Sequence, residues 1–324
     1  MDQLMIHNKP LIAICLASYN GEKYISEQLE SIFAQSFQNF KLYIADDRSI
    51  DNTVMIIKRF QDRFGDRIHF TINATQLGVV KNFETLLSNC DEEYITLADQ
   101  DDIWEPDKLT HQLEAMIQLE QQSTTKSYLV HSDLMMIDEN ANVIADSYFS
   151  FRGYRLNQEK DLGHILGPSG VMGNTLMMNR ELRDKSLPFP RELEIHDYWI
   201  AIVAELYGRR ITLQKSLVRY RIHHKNISNS IHSIQSNKRK WFTRDIKLPY
   251  LELKRDYIMA TLLKRVLSNE DKKSIQAFND YLTFSKSRLG MYMDLIYYSL
   301  VKRGIWFRVK LFAKLMLTKR YTGK

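Results

Sequence analysis

The chain has 324 residues, 44% of them hydrophobic, with only 12 glycines and 6 prolines; this is enough for a sizeable core and excludes a collagen-like, low-complexity or linker-rich protein. The formal charge of +6 is carried by one end. Residues 295–324 hold eight Lys or Arg and no acid, leaving 37 basic against 39 acidic side chains elsewhere, so an acidic partner is expected for that end alone.

In chain order, "LIAICLA" (11–17) reads as a buried strand. It lacks the basic lead and small-residue cleavage site of a secretory signal. "SYNGEKYISEQLESIFAQS" then carries Tyr24, Ile25, Leu29, Ile32 and Phe33 at helical spacing. "FKLYIADD" is a second strand, and Ser49 or Asp51 could cap the next helix, which stops at Gly65. "IHFTIN", "VVKNFETLLSNC" and "EYITLADQDD" follow as strand, helix and strand. Four strands alternating with helices imply right-handed crossovers and a parallel sheet covered on both faces. Ligands of such sheets bind beyond the carboxyl ends of the strands, where Ser18 to Asn20, Asp46, Asp47 and Asp99 to Asp102 gather. Neither a G-x-G-x-x-G turn after the first strand nor a P-loop occurs.

A helix with Pro106 near its first turn leads to the strand "SYLVHSDLMMID", then to an irregular stretch ending near 168. "GPSGVMGNTLMMNR" (167–180) joins small residues to an apolar strand, as where backbone closely approaches something bound. "IHDYWIAIVAELYG" is a helix opening on His196 and Asp197, with Trp199 in the core. "ITLQKSLVRYRIHHKNIS" is expected as a strand leaving the compact domain, and basic, aromatic-rich helices follow from about 235. No stretch reaches the roughly 18 uninterrupted apolar residues of a spanning helix. Cys15 and Cys90 make neither a disulfide framework nor a zinc site, which suits a reducing compartment.

"LADQDDIW" (97–104) sets Asp99, Asp101 and Asp102 within four positions. Packed carboxylates raise one another's pKa unless a cation or hydrogen-bond donors offset the repulsion. Hard Mg²⁺ or Mn²⁺ suits carboxylate oxygens, with phosphate completing the shell. An EF-hand is excluded, because Trp104 stands where its glycine belongs and Thr110 where its bidentate Glu belongs. One such Asp would read as a turn former or helix cap; three after an apolar strand favour a functional site.

"CLASYNGEKYI", "ADDRSIDNT", "LADQDDIWEPDKL", "GNTLMMNR", "HDYW" and "YRIHHKNIS" occur in the order and spacing of family 2 glycosyltransferases, and the chain closely resembles their bacterial rhamnosyltransferase-like branch over about residues 10–230. The resemblance implies an α/β GT-A fold, Rossmann-like with a mostly parallel central sheet and flanking helices. Residues 1–230 would form the nucleotide-sugar-binding and catalytic domain, and 231–324 a helical C-terminal region. It further implies an inverting, non-processive, metal-dependent hexosyltransferase, since the Q-x-x-R-W motif and spanning helices of processive synthases are absent. The donor implied is dTDP-L-rhamnose, with UDP-hexoses as the alternative. The acceptor implied is a lipid-linked saccharide of bacterial surface polysaccharide, such as capsule or O-antigen.

Position by position, the resemblance puts Ala17, Tyr19, Asp47, Lys81, Asp99 and Gln100 at the donor. Tyr19 would pack on the base, Asp47 would accept from the base N3–H, and Lys81 would approach the nucleotide. Asp101 would be the principal ligand of Mn²⁺ or Mg²⁺, with Asp99 near the ribose or acting through water and His223 completing the metal or diphosphate site. Asp197 matches the general base, while Asp102, Trp104, Gly173, Asn174 and His196 would face the acceptor. The chain departs from the pattern in having His196 where many relatives carry Glu and His224 where Gly is usual. Taken singly, Asp197 is also an ordinary helix-start acid, Tyr19 a core aromatic, Lys81 a solvated lysine, and the two histidines surface residues.

The segment 295–324 mixes its basic residues with Trp306, Phe307 and Phe312 in an imperfect amphipathic pattern. It is expected to lie on the anionic inner face of the cell membrane, making the enzyme cytoplasmic and peripheral; a helical oligomerisation element is the alternative. A nucleic-acid-binding protein using this tail is the rival class, but it leaves the acidic strand ends unexplained.

Overall fold

The computed structural model describes residues 11–154, 156, 161–167, 169–191, 193–223, 269–301 and 305–317. In β1 (Ile12–Ser18), Ile12, Ile14 and Leu16 belong to one core and Ala13 and Cys15 to the other, all fully buried. This is the two-sided burial of a central strand. β2 (Phe40–Asp46), β3 (Ile68–Ile72) and β4 (Tyr94–Asp99) pair with it in parallel, in the order β3-β2-β1-β4. Helices α1 (Ile25–Phe33) and α2 (Thr53–Phe64) cover one face with Leu29, Ile32, Ile57 and Phe60; α3 (Val79–Asn89) covers the other with Phe83, Leu86 and Leu87. Gly65, at φ +57°, ends α2 where the sequence places its stop. Asp51 accepts from the Thr53 amide at the start of the same helix, at 3.0 Å.

The second half comprises β5 (Ile103–Trp104), α4 (Lys108–Gln122), β6 (Tyr128–Ile137), β7 (Val143–Ala145), α5 (Tyr148–Arg152), α6 (Leu162–Leu166), β8 (Leu176–Asn179), α7 (Arg180–Ser186), α8 (His196–Tyr207) and β9 (Arg209–Arg221). Among the described residues the sheet has nine strands, continuing β4-β8-β6-β9-β5 with β7 on β6. β8 runs antiparallel to both neighbours, whereas β9 is parallel to β6 and antiparallel to β5. The strand over 209–221 therefore does not leave the domain. Both its edges are paired and Leu217, Val218 and Tyr220 are buried. The buried Arg210–Glu205 pair, at 2.7 Å, lets a charged residue of this strand stay inside.

Three further helices, α9 (Asn269–Thr283), α10 (Arg288–Tyr297) and α11 (Ile305–Leu317), bring Ile275, Phe278, Leu295, Leu311 and Leu315 into the same core as α6 and α8. Two glycines set how closely they dock. A Cβ on Gly163 would lie 1.8 Å from the Tyr298 carbonyl oxygen, and one on Gly167 would lie 2.2 Å from that of Leu300. Among the described residues no helix is long and apolar enough to cross a membrane. His224, Lys302, Arg303, Lys319, Arg320 and Lys324, and the expected helices before Asn269, lie outside the described residues.

Candidate active site at the carboxyl rim of the sheet

Strand register assembles the rim. Ala17 lies between Ala45 and Asp99, and Ser18 lies beside Asp46. Asp46 braces the turn that follows, accepting from Ser18 Oγ at 2.8 Å and from the Ser49 amide and hydroxyl at 2.7 and 2.6 Å. Asp47 is buried and gathers the 73–78 loop: its Oδ1 accepts from the Leu77 amide at 2.7 Å and Asn73 Nδ2 at 2.9 Å, its Oδ2 from the Gly78 amide at 2.8 Å. A carboxylate offers about four acceptor sites, so Oδ2 can still accept. Tyr19 is 42% exposed, and its backbone N–H and C=O are both clamped by the Gln100 amide at 2.9 Å. Gln100 thus positions the exposed ring of Tyr19.

The three acids of 99–102 separate sharply. Asp102 is fully buried: Oδ1 accepts from the Arg221 amide at 3.1 Å and Oδ2 from Asn174 Nδ2. Burial pushes its carboxyl well above the usual range, and the Asp101 and Asp99 charges push the same way. Beneath it lies the fully buried Lys108, whose Nζ donates to Thr96 Oγ1 at 3.1 Å and sits 3.5 Å from the centre of the Trp104 ring. Burial holds that amine well below its ordinary value, with Asp102 pulling it back up. Asp102 and Trp104, expected to face the acceptor, are instead floor: Trp104 is 3% exposed and lies in the core. Asn174, also buried, is tied to this floor, although its Oδ1 has no hydrogen-bond partner.

Asp99 and Asp101 form the open edge. Burial, then the Asp101 and Asp197 charges, push the Asp99 carboxyl up to about 7. Asp101 Oδ2 meets His223 Nε2 at 2.8 Å, and the His223 ring packs 5.2 Å from Tyr24. The pairing of β5 with β9 is what delivers His223 to residue 101. Opposite stands Asp197 in the first turn of α8, accepting from the Gly173 amide at 2.8 Å and the Tyr198 amide at 2.6 Å. Acids are favoured at a helix N-terminus, where the dipole is positive. A Cβ on Gly173 would lie 3.2 Å from His196 Nε2, so the glycine admits the histidine. The His196 ring stacks on Phe83 at 4.3 Å, Nε2 has no partner, and burial holds its pKa down. Lys81 stands apart, on the solvent side of α3 and ion-paired with Glu84.

Among the described residues no three His, Cys, Asp or Glu side chains converge as a ready-made metal cage. Asp99, Asp101 and His223 therefore do not make a closed three-ligand site. The donor set nevertheless suits a hard dication that takes the rest of its shell from phosphate and water, since Asp99 and Asp101 offer carboxylate oxygens two residues apart with the His223 ring at 2.8 Å from Asp101. Sequence reasoning missed Lys108, Arg221 and Thr96, which support the floor. Lys108 does fall in helical register with the buried Gln112, Ala115 and Leu119, a signal of an inward-facing lysine.

Fold and rim together define an α/β protein with a candidate active site built from acids at the carboxyl ends of its strands. The sequence profile of glycosyl transferase family 2 matches residues 13–175, half of the chain, and the protein belongs to that family. It is 28% identical over 234 residues to an uncharacterised glycosyltransferase of Nostoc sp., covering 70% of this chain and 69% of that protein. It is 26% identical over 232 residues to the UDP-Glc:alpha-D-GlcNAc-diphosphoundecaprenol beta-1,3-glucosyltransferase WfgD of Escherichia coli (71% and 84% covered). A shorter match, 38% over 106 residues, links it to the dTDP-rhamnosyl transferase RfbG of Shigella flexneri (32% and 37% covered). Among solved structures, S. aureus TarS 1–349 with UDP-GlcNAc superposes with TM-score 0.61 at 20% identity, covering 94% of this chain and 79% of that one. The mannosyltransferase PcManGT of Pyrobaculum calidifontis with GDP-Man and Mn²⁺ gives 0.57 at 15% identity, covering 95% and 86%. The fold is GT-A.

Proposed function

We propose that this glycosyltransferase moves one sugar, with inversion, from a nucleotide sugar to a lipid-linked saccharide in bacterial surface-polysaccharide synthesis, working peripherally at the inner face of the cell membrane. Residues 1–230 would carry the transfer site and 231–324 the membrane-side appendage. The observation that supports the reading is the placing of Asp197, from the distant α8 and fixed by the Gly173 amide at 2.8 Å, near enough to Asp99 for its charge to act on it. Tyr19 and Asp47 would hold the nucleotide base, Ala17 and Gln100 would shape the donor floor, and Lys81 would swing to the diphosphate.

The acceptor hydroxyl oxygen attacks the anomeric carbon on the face opposite the leaving group, and its proton passes to Asp197. The anomeric C–O bond to the diphosphate breaks as the new one forms, and its electron pair departs with the nucleoside diphosphate. Asp197 is held in place by the Gly173 and Tyr198 amides, at 2.8 and 2.6 Å. Mn²⁺ or Mg²⁺ held by Asp101, with Asp99 or His223 beside it, would neutralise the charge growing on the leaving diphosphate. His196 and Asn174, each with an unpartnered buried atom near Gly173, would meet the acceptor.

The metal is supported by the Mn²⁺ complex of the structurally similar mannosyltransferase. The lipid-linked acceptor is supported by the likeness to WfgD, and dTDP-L-rhamnose as first-ranked donor, ahead of UDP-hexoses, by the partial likeness to RfbG. The test is a donor screen by product mass, with diphospholipid-linked saccharides as acceptors, run with Mn²⁺, with Mg²⁺ and with chelator. One added sugar per acceptor, lost on chelation, is expected. No turnover of any nucleotide sugar across that panel overturns the proposal.

A further inference from the structure

Arg221 ends β9 at the rim, yet its side chain is only 1% exposed. A guanidinium stays charged when buried, so its fork of donors needs acceptors. The structure supplies them from three separate segments. Nε donates to the Asp101 carbonyl at 3.0 Å, Nη1 to the Glu139 carbonyl at 3.2 Å in the turn between β6 and β7, and Nη2 to the Glu27 carboxylate on α1. The guanidinium carbon lies 4.5 Å from the centre of the Tyr24 ring, and the same ring meets His223 at 5.2 Å.

The main chain of Arg221 adds a further bond, from its amide to Asp102 Oδ1 at 3.1 Å. One residue therefore grips two consecutive acids in different ways. It holds Asp102 by the side chain and Asp101 by the main chain, while the Asp101 carboxylate meets His223, two residues further along the same segment, at 2.8 Å. The geometry points to Arg221 as a positioning residue for the divalent ion of the proposed transfer site: by tying the 101–102 main chain to α1 and to the β6–β7 turn, it sets where the Asp101 carboxylate stands relative to His223. This rests on the metal reading above and adds to it a residue that acts through Asp101 and His223.

The sign of the effect separates positioning from charge. A buried cation close to an ion-binding carboxylate repels a second cation, so on Coulomb grounds alone its removal should tighten Mn²⁺ binding. If Arg221 works by holding the turn, its removal should weaken Mn²⁺ binding. Lysine keeps the charge but lacks the planar fork, and so cannot serve the three acceptors with the same geometry. A purely structural role lowers stability and leaves ion binding unchanged in the folded protein.

The test is calorimetry of the full chain with UDP and with dTDP, each in Mn²⁺ and in EDTA, which reads the affinity that the ion adds and needs no turnover. Melting curves check that Arg221→Lys and Arg221→Met are folded. Expected are nucleotide affinities in EDTA within about twofold of wild type and a Mn²⁺-dependent gain about tenfold smaller in both variants. Glu27→Ala, at a half-exposed carboxylate, should reduce the gain by about threefold, and Glu27→Gln, which keeps an acceptor for Nη2, should restore it. A folded Arg221→Lys with the wild-type gain overturns the inference, as does a larger gain in Arg221→Met. Where neither Arg221 variant folds, the Glu27 pair decides: an unchanged gain in Glu27→Ala, or an equal loss in Glu27→Gln, overturns it. A wild type whose affinity for both nucleotides is the same in Mn²⁺ and EDTA overturns the metal reading and this inference with it, so the two failures are told apart.

Discussion

Asp101 and Asp102 are consecutive in the chain, yet one belongs to the rim of the site and the other to its floor. Asp102 is enclosed by protein donors, the Arg221 amide and Asn174, with Lys108 beneath. The Asp101 carboxylate meets His223, its carbonyl accepts from Arg221 Nε at 3.0 Å, and its charge acts on the neighbouring Asp99. The floor acid has its hydrogen bonds supplied from within the fold, whereas the rim acids crowd one another. Lys108 lies in the same buried floor, donating to Thr96 Oγ1 at 3.1 Å, and Asp102 acts on it only by drawing its amine back toward the charged form.

The contrast is sharpest in what each residue's removal should change. Asp197→Asn should lower the transfer rate about 10³-fold while donor affinity, read by calorimetry with the nucleotide sugar, stays within a factor of about two, because the amide has the same size and can keep one of the two backbone hydrogen bonds but cannot take a proton. Comparable turnover in the variant would remove Asp197 from the proton transfer. Asp101→Ala should lower turnover about 100-fold and abolish its dependence on added Mn²⁺, with folding stability within about 1 kcal/mol of wild type, since the lost His223 contact is offset by relief of repulsion at Asp99. Chelator-insensitive turnover in the wild type would break the comparison at the rim.

The floor should respond in the opposite sense. Asp102→Ala removes two hydrogen bonds and leaves Lys108 buried without its acid. The expected loss is about 2–3 kcal/mol of stability, measured by denaturant melts, with metal dependence retained in the protein that remains folded. A variant as stable as wild type would mean that Lys108 is accommodated without Asp102.

These opposite fates were only half legible in the sequence. Local pattern exposes whatever a short segment does by itself: β1 to β4 show as apolar runs, the α2 stop shows at Gly65, and Asp99, Asp101 and Asp197 show as acids at element ends. Which acid faces solvent depends on non-local pairing. β9 places the Arg221 amide on Asp102 and His223 on Asp101, and nothing within residues 97–104 announces that strand. β9 itself is hard to read as internal because it carries Arg209, Arg210, Lys215, Arg219 and Arg221. Arg210 is neutralised by Glu205 from α8, a pairing that exists only once helix and strand have met. Trp104 misleads for a similar reason, since an aromatic after an acidic loop resembles a binding platform until Lys108 is seen to cover its ring.

Lys81 gives the smallest expected effect and the finest division between rim and surroundings. Its ammonium is paired with Glu84 one turn along α3, and its side chain is 53% exposed. An exposed pair of this kind contributes under about 0.5 kcal/mol, so Lys81→Ala should leave the melting curve unchanged within that margin. If the lysine swings from Glu84 to the donor diphosphate, the same substitution should raise the donor KM about fivefold with kcat nearly constant, because a contact made equally in ground and transition states affects binding alone. Glu84→Gln then separates the two roles. Freeing the ammonium should lower the donor KM if Lys81 reaches the nucleotide and leave it unchanged if the lysine belongs only to the solvated face of α3. The Phe189 amide, which donates to Glu84 Oε1 at 2.9 Å, keeps an acceptor in the glutamine variant, so the substitution tests the charge rather than the loop.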